Sequence, residues 1–448
     1  MFSEITVIGG GASGLMAAFS AARTISESSS EASVTVLEKM PRPGRKIMIT
    51  GKGRCNFTNL KDWESFSSHI RSKASLVRPA FFNFPSAKAI EFFENQGIPT
   101  VVERGDRAFP ASHMASDIVD GLVKAATSLG VRIMSGVQVG KVAYDSGDRV
   151  FNIQAGERTF SCRCLIIATG GLSYPSTGSS GDGYSFASSF GHSISPLFPS
   201  LTAMVPRGYK IHGASGGELR GHIDRSAPLS AAGKQLMGIS LKNTGLTLFL
   251  DGREVRSVTG DLDFTDGGLE GPLGFQVSRE CVKGIVNGRK AGISIDMKPA
   301  VDTAELLERL RRLWAEIKAD PRSRGINPER IFRILLGKVL PHGLIDGFLG
   351  WNPGLGKGAD LEGLALRLKD WHMDIEGFVG YERAVVTAGG IPPEEVVAKT
   401  LESKKQKGLY LCGEVLDVDA DTGGYNLQCA FSTGFLAGQC AAQSVICR

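Results

Sequence analysis

Ile5-Thr6-Val7-Ile8 is a short β-branched run of the kind that fills a buried parallel strand. Gly9, Gly11 and Gly14 follow at once, with Ala12 and Ser13 between the last two, and residues 15–23 read as an alanine-rich helix. A polar connection rich in Ser and Glu then gives way to Val34-Thr35-Val36-Leu37, a second strand ending at Glu38. Residues 138–144, including Val139, and 150–153 predict successive antiparallel strands joined by the turn Asp145-Ser146-Gly147-Asp148. Leu165-Ile166-Ile167 is another buried strand, opening into Ala168-Thr169-Gly170-Gly171. Far downstream, Leu409-Tyr410-Leu411-Cys412 runs into Gly413-Glu414, and a small-residue helix follows Gly423-Gly424-Tyr425-Asn426.

Between about 196 and 376 the texture changes. Residues 196–275 are rich in Thr, Val, Leu and Gly in short alternating runs such as Leu246-Thr247-Leu248-Phe249-Leu250, which predicts a barrel or small sandwich. Leu306, Leu307, Leu310 and Leu313 share one face of a predicted helix over 303–317, and 327–340 predicts another. Residues 366–371 read as a returning strand, and 384–390 lead back toward the first domain.

The opening pattern carries a chemistry. The first glycine permits a tight turn, the second lets backbone approach a pyrophosphate, and the third lets helix and strand pack closely. The helix start offers unpaired N–H groups and a positive dipole end. Glu38 at the end of the second strand suits a ribose 2′-hydroxyl and argues against a 2′-phosphate. The motif alone does not separate NAD from FAD, and a helix dipole contributes only ~0.3–2 kcal/mol, so other segments must hold the cofactor. The loop 44–59 is one, because glycines 44, 51 and 53 converge there with Arg45, Lys46, Lys52 and Arg54. A solvated basic loop is the plain alternative; the lack of a surface-helix period favours a ligand.

Composition narrows the classes. With 448 residues, 42% hydrophobic and 22% charged, the chain predicts a globular protein of two or three domains. The 57 glycines sit in short clusters without a repeat, which implies many tight turns. A net charge of +5 with no basic stripe argues against a nucleic-acid partner. The eight cysteines show no CxxC spacing and read as structural thiols, and the seven histidines show no metal spacing, so no metal is expected. His192 reads as closing a helix, and His212 and His222 flank a glycine-rich run, 213–218, that suits a cover over a pocket. No signal peptide is read at the start, and the apolar stretch 430–447 contains Gln439 and Gln443, so it reads as a packed helix. The expected location is cytoplasmic, without membrane association.

Three blocks then sharpen the reading. They are Gly44-Arg45-Lys46 with 50–59; Ala168-Thr169-Gly170-Gly171-Leu172-Ser173-Tyr174-Pro175 with Gly178 and Gly181-Asp182-Gly183-Tyr184; and Gly413-Glu414-Val415-Leu416-Asp417-Val418-Asp419 with Thr422-Gly423-Gly424-Tyr425-Asn426. In these blocks the sequence resembles the BaiN-like NAD(P)/FAD-dependent oxidoreductases, which include aminoacetone-oxidase-like flavoproteins. The resemblance implies an α/β fold: a Rossmann-like FAD-binding domain split into 1–195 and 377–448. It also implies an inserted β-barrel domain at 196–299 and 351–376, with a helical subdomain at 300–350.

By the same resemblance, Glu38 would hold the adenosine ribose, while Lys46 and the loop of Thr50, Gly51, Gly53, Arg54, Cys55 and Asn56 would line the pyrophosphate and flavin. Gly413 and Glu414 would sit near the ribityl chain, with Gly424, Tyr425 and Asn426 beside the pyrimidine edge. Gly9, Gly11, Ala12, Ser13, Gly14, Lys39, Arg45, Val139, Ala168, Thr169, Gly170 and Asp421 complete the expected FAD contacts. No catalytic side chain is singled out. The family often carries a Thr-His…Ser-Gly-Pro pattern where this chain reads Thr265-Asp266-Gly267-Gly268-Leu269-Glu270-Gly271-Pro272, so substrate specificity does not transfer.

The leading expectation is a FAD-dependent oxidoreductase that takes reducing equivalents from NAD(P)H, as a transient donor, to a small organic acceptor. Only one dinucleotide fingerprint is present, so the donor would need an irregular site. The alternatives are an oxidase that passes electrons from an amine to oxygen, and a non-catalytic or RNA-associated flavoprotein. The oligomeric state is left open.

Overall fold

The structure, a computed structural model, describes residues 1–213, 219–355 and 360–447. It forms two compact units, Met1–Phe198 with Val385–Arg448, and Pro199–Ala384. The glycine-rich run flanked by His212 and His222 falls mostly on 214–218, outside the described residues.

In the first unit Phe2–Ile8 lies between Val34–Glu38 and Arg158–Ile167, parallel to both. Arg132–Ser135 extends the parallel sheet beyond Val34–Glu38, and Leu409–Leu411 extends it beside the last residues of Arg158–Ile167. The hairpin Lys141–Asp145 and Val150–Ala155 pairs antiparallel with the first half of that long strand. Register decides where function can sit. Ile8 pairs with both Leu37 and Ile167, and Ile167 pairs with Leu411, so four strands end together. Ligands of open α/β sheets bind outside such carboxyl ends.

Two helices cover this sheet, Ala12–Glu27 and Tyr425–Ile446. They approach closely because the second carries glycine at the crossing: a Cβ on Gly434 would lie 2.2 Å from the Ser13 carbonyl oxygen, and one on Gly438 2.0 Å from that of Ala17. The small-residue composition of the last helix is therefore a packing requirement. Among the described residues no helix is long and apolar enough to cross a membrane. Residues 58–127, for which the pattern predicts nothing, form a three-stranded sheet of Thr58–Asn59, Arg107–Pro110 and Thr100–Glu103 with helices around it.

The second unit is a closed barrel. Met204–Pro206, Gly268–Glu270, Arg253–Thr265, Ser240–Leu250, Ala291–Asp296 and Trp371–Val379 pair in that order, and the last returns to the first. Trp371, Met373 and Ile375 point inward while His372, Asp374 and Glu376 face out, the two-residue period of a one-sided strand. Trp371 packs inside against Phe264 and Phe348.

Thr303–Ala319 and Pro328–Val339 are the two expected helices, capped by Asp302 and Asn327, whose carboxylate and amide oxygens accept from the N–H of Glu305 and Arg330 at 2.8 Å. Two expectations need correction. Residues 366–371 are not a strand: Leu361–Lys369 is a helix capped by Asp360, with Leu364 and Leu368 buried one turn apart, and the strand starts at Trp371. The region read as short strands also ends in a 16-residue helix, Gly271–Val286, begun by Pro272 at its first turn. A Rossmann-like unit interrupted by a barrel with helices is the fold class expected from the sequence.

Candidate cofactor-binding site

At the common end of the parallel strands a cleft opens, with about 1320 Å³ of empty space counted out to its mouth. The glycines divide the work of shaping it. Gly9, at φ +106, backs onto the Ala168 carbonyl, and a Cβ on Gly14 would lie 1.9 Å from the Gly9 oxygen. A Cβ on Gly11 would meet nothing within 4 Å, since Gly11 faces the open cleft. Ala12–Glu27 starts there without a side-chain cap, and Tyr425–Ile446 starts likewise after Gly424. Asn426, Ala430 and Thr433 of that second helix line the cleft. Two helix beginnings with uncapped N–H groups beside one cleft suit a ligand carrying several negative oxygens.

Glu38 closes one end. The residue is 8% exposed, and its carboxylate accepts from the Gly10 N–H at 2.6 Å and the Met40 N–H at 2.7 Å. A carboxylate has about four acceptor positions, so it keeps capacity for a hydroxyl in the cleft. Lys39 pairs with Asp182 at 2.7 Å and donates to Ser180. Deeper in, Lys46 Nζ donates to Glu414 Oε2 and to Ser173 Oγ, each at 2.6 Å. The Ser173 hydroxyl donates to Glu414 Oε1 at 2.7 Å, and the Thr387 N–H reaches the same oxygen at 2.8 Å.

Gly9, Gly11, Ala12, Ser13, Glu38, Lys39, Arg45, Lys46, Thr50, Val139, Ala168, Thr169, Gly170, Gly413, Glu414 and Asn426 all line this cleft. The remaining expected residues stand off its wall. Gly14 lies behind it in the helix–strand contact, and Gly51 and Gly53 belong to a loop with left-handed φ at Gly51, Lys52, Gly53 and Cys55. Arg54 turns to Glu103, to His113 at 3.0 Å and to the Phe109 face. Asp421 is gripped by Arg71 and by His69 at 3.0 Å, and His69 stacks on Tyr425 with ring centroids 4.3 Å apart. Gly424 packs on the Thr58 carbonyl. Asn56 Oδ1 is buried without a hydrogen-bond partner.

Sequence reasoning passed over Arg42, Val137, Phe186, Val385 and Val386, among others on the wall, and named Asp182 only within its block, not as a contact. It also stopped short of Ala430 and Thr433, although a helix starting at Tyr425 places both on the face of Asn426.

Thiol chemistry finds no support here. All eight cysteines are free, and burial pushes the thiols of Cys55, Cys412 and Cys429 up to about 12, so they stay protonated. No group of His, Cys, Asp and Glu among the described residues is arranged to hold a metal. The donor set fits a dinucleotide such as FAD: an acid at one end, exposed backbone N–H groups in the middle, and Lys46 with Glu414 beyond.

Comparison with known proteins agrees. Residues 3–440 match the family described as the HI0933-like protein Rossmann domain. The chain is 32% identical over 444 residues to a 3-dehydro-bile acid delta(4,6)-reductase of Clostridium scindens, covering 98% of this chain and 99% of that one. It is 29% identical over 442 residues to a ribosomal RNA dihydrouridine synthase of Escherichia coli, covering 97% of each. Among solved structures, a 3-ketosteroid delta1-dehydrogenase of Sterolibacterium denitrificans shares the fold at TM-score 0.51 and 12% identity, over 99% of this chain and 100% of that one. With its split Rossmann unit, its dinucleotide cleft and a match along almost its whole length, the chain belongs to the HI0933-like family and is a FAD-dependent oxidoreductase.

Proposed function

We propose that this enzyme reduces a carbon–carbon double bond conjugated to a carbonyl in a small organic molecule, with NAD(P)H as the donor. The observation that carries the flavin part of the reading is the cleft itself, which Gly11, two uncapped helix N-termini and the Lys46–Glu414 pair line together. The names of the relatives support the substrate class. A delta(4,6)-reductase of a 3-dehydro-bile acid and a dihydrouridine synthase both act on a double bond in conjugation with a carbonyl. Such a bond is reduced by hydride at its far carbon and a proton at the near one.

Bound FAD supplies the hydride chemistry. The chain's own residues would do the rest: the backbone at Gly11 would admit the pyrophosphate, Glu38 would accept from the ribose, and Lys46 and Glu414 would stand along the ribityl and flavin end. The sheet end keeps water from the buried side of the cleft.

Anaerobic stopped-flow tests the donor. NADH or NADPH should bleach flavin absorbance near 450 nm on a catalytic timescale, and a steroid dienone should then restore it. Bleaching by neither nucleotide would defeat the donor assignment. A second reading, reduction of uridine in RNA, is favoured by the dihydrouridine synthase relatives. Against it stands the net charge of only +5. Dihydrouridine formed in ribosomal RNA, with no reoxidation by dienones, would favour that reading.

A further inference from the structure

Lys46 and Glu414 come from segments 368 residues apart, and both line the cleft. Their side chains are 23% and 18% exposed, so each charge is only partly solvated. Water screens such a pair much less than a surface pair, and each charge acts further through the protein. The geometry is fixed from three sides. Glu414 Oε1 accepts from the Ser173 hydroxyl and the Thr387 N–H, while Oε2 accepts from Lys46. The Thr387 hydroxyl in turn accepts from the N–H groups of Leu172 at 2.8 Å and Ser173 at 3.1 Å. Two of the three ammonium protons are thereby engaged, by Glu414 and Ser173. The third proton is left to the cleft.

Carboxylate and ammonium are balanced in this arrangement, so a bound cofactor meets a dipole, not a bare cation. We infer that Lys46 and Glu414 are a matched charge pair that trims the reduction potential of the bound flavin, with Glu414 a positioning residue acting through Lys46. The inference rests on the FAD reading of the cleft. Reduction adds negative charge to the flavin, so a neighbouring cation favours the reduced form and a neighbouring anion opposes it. Removing one partner unbalances the other, and the two removals act in opposite directions. A residue pair that only holds the cofactor in place would not behave in that way.

The experiment is an anaerobic redox titration of the purified holoprotein against reference dyes. Lys46→Met leaves Glu414 uncompensated, and the reduced-to-oxidised ratio at a given potential should fall at least tenfold, about 30 mV for a two-electron couple. Glu414→Gln should raise it by a similar factor. The double variant should return to within threefold of wild type, as should Lys46→Arg, which keeps the charge. If a variant purifies without flavin, the ratio of its Kd values for oxidised and reduced FAD, measured anaerobically, reports the same quantity through the thermodynamic cycle. Equal shifts of one sign, or weaker FAD binding with an unmoved potential, would overturn the inference. Wild-type protein that neither carries nor binds FAD would instead remove the cofactor reading beneath it.

Discussion

At the scale of single residues, the three glycines of one motif do three different jobs, and substitution should separate them. A Cβ on Gly14 would sit 1.9 Å from the Gly9 carbonyl oxygen, which is backbone and has no room to move. Gly14→Ala should therefore destabilise the fold itself, by about 1–3 kcal/mol or more, read as a drop in denaturation midpoint of the apoprotein. Gly11 has φ −83 and empty space where its Cβ would be. Gly11→Ala should leave the apoprotein's stability within about 0.5 kcal/mol while weakening FAD binding at least tenfold in a fluorescence titration. Equal loss of stability in both variants would refute this division. These roles are legible in the sequence because the spacing Gly-x-Gly-x-x-Gly is local. The placement of Arg54 and Tyr425 is not: Glu103, His113 and His69 lie in stretches without a motif, and only the fold brings them together.

At the scale of elements, side chains distant in sequence fasten segments to one another. His192 follows the helix Asp182–Ser189 and has no exposed side-chain surface. Its Nδ1 lies 2.8 Å from Glu395 Oε2 and its Nε2 2.7 Å from Ser403 Oγ. A carboxylate only accepts, so Nδ1 carries the proton; Ser403 Oγ already accepts from the N–H groups of Lys405 and Gln406, so its own proton goes to Nε2. The neutral ring is thus fully satisfied, and burial holds its pKa below the usual value, with Glu395 only partly opposing. The unfolded chain then binds the extra proton more readily, and stability should fall as pH drops through about 6.5. Glu395 adds a second loss at lower pH. Burial raises its pKa, but the Ser193 hydroxyl and His192 outweigh this and leave it lowered, so its contribution is lost below the ordinary glutamate range. Urea midpoints between pH 8 and 5.5 should show the first decline, flattened in His192→Gln; a wild-type midpoint unchanged over that interval would exclude it.

In the barrel unit, both acidic residues that depart from the family pattern grip one arginine. Arg383 bonds Asp266 at 2.8 Å and Glu270 through two nitrogens, the second at 3.0 Å, and the path across Gly267 leaves no space for a Cβ. Arg383→Met would leave Glu270, whose side chain is 11% exposed, without its cation, at an expected cost of about 3–5 kcal/mol. Adding Glu270→Leu should recover part of that loss in the same denaturation assay. The acidic residues were visible in the sequence, whereas their partner Arg383, 113 residues beyond Glu270, was not.

At the scale of the whole molecule, the cofactor cleft draws its walls from both ends of the chain. Continuous β-branched and apolar runs at 5–8, 34–37 and 165–167 identify the sheet, and 409–411 completes it from beyond the barrel. That split was readable because each strand ends at an acid or has a glycine within three residues of its end. The small sheet over 58–110 was not, since strands of two to four residues carry too few positions to show a period. Every residue lining the cleft lies in Met1–Phe198 or Val385–Arg448. The strands Ser195–Ser200 and Val386–Gly390, where the chain leaves and re-enters, pair with each other, so their ends are close enough to join. A chain of 1–198 linked to 385–448 through a few glycines should therefore fold and bind FAD with an affinity within about tenfold of the full protein. It should lose reduction of the acceptor if the barrel supplies substrate contacts. Residues 1–198 alone should bind none, because Asn426, Ala430 and Thr433 would be missing from the wall and Ala12–Glu27 would lose the glycine-bearing face of its partner helix. Circular dichroism and flavin fluorescence quenching would follow both chains. A linked chain that folds without taking up FAD would show that the inserted unit belongs to the cofactor site as well.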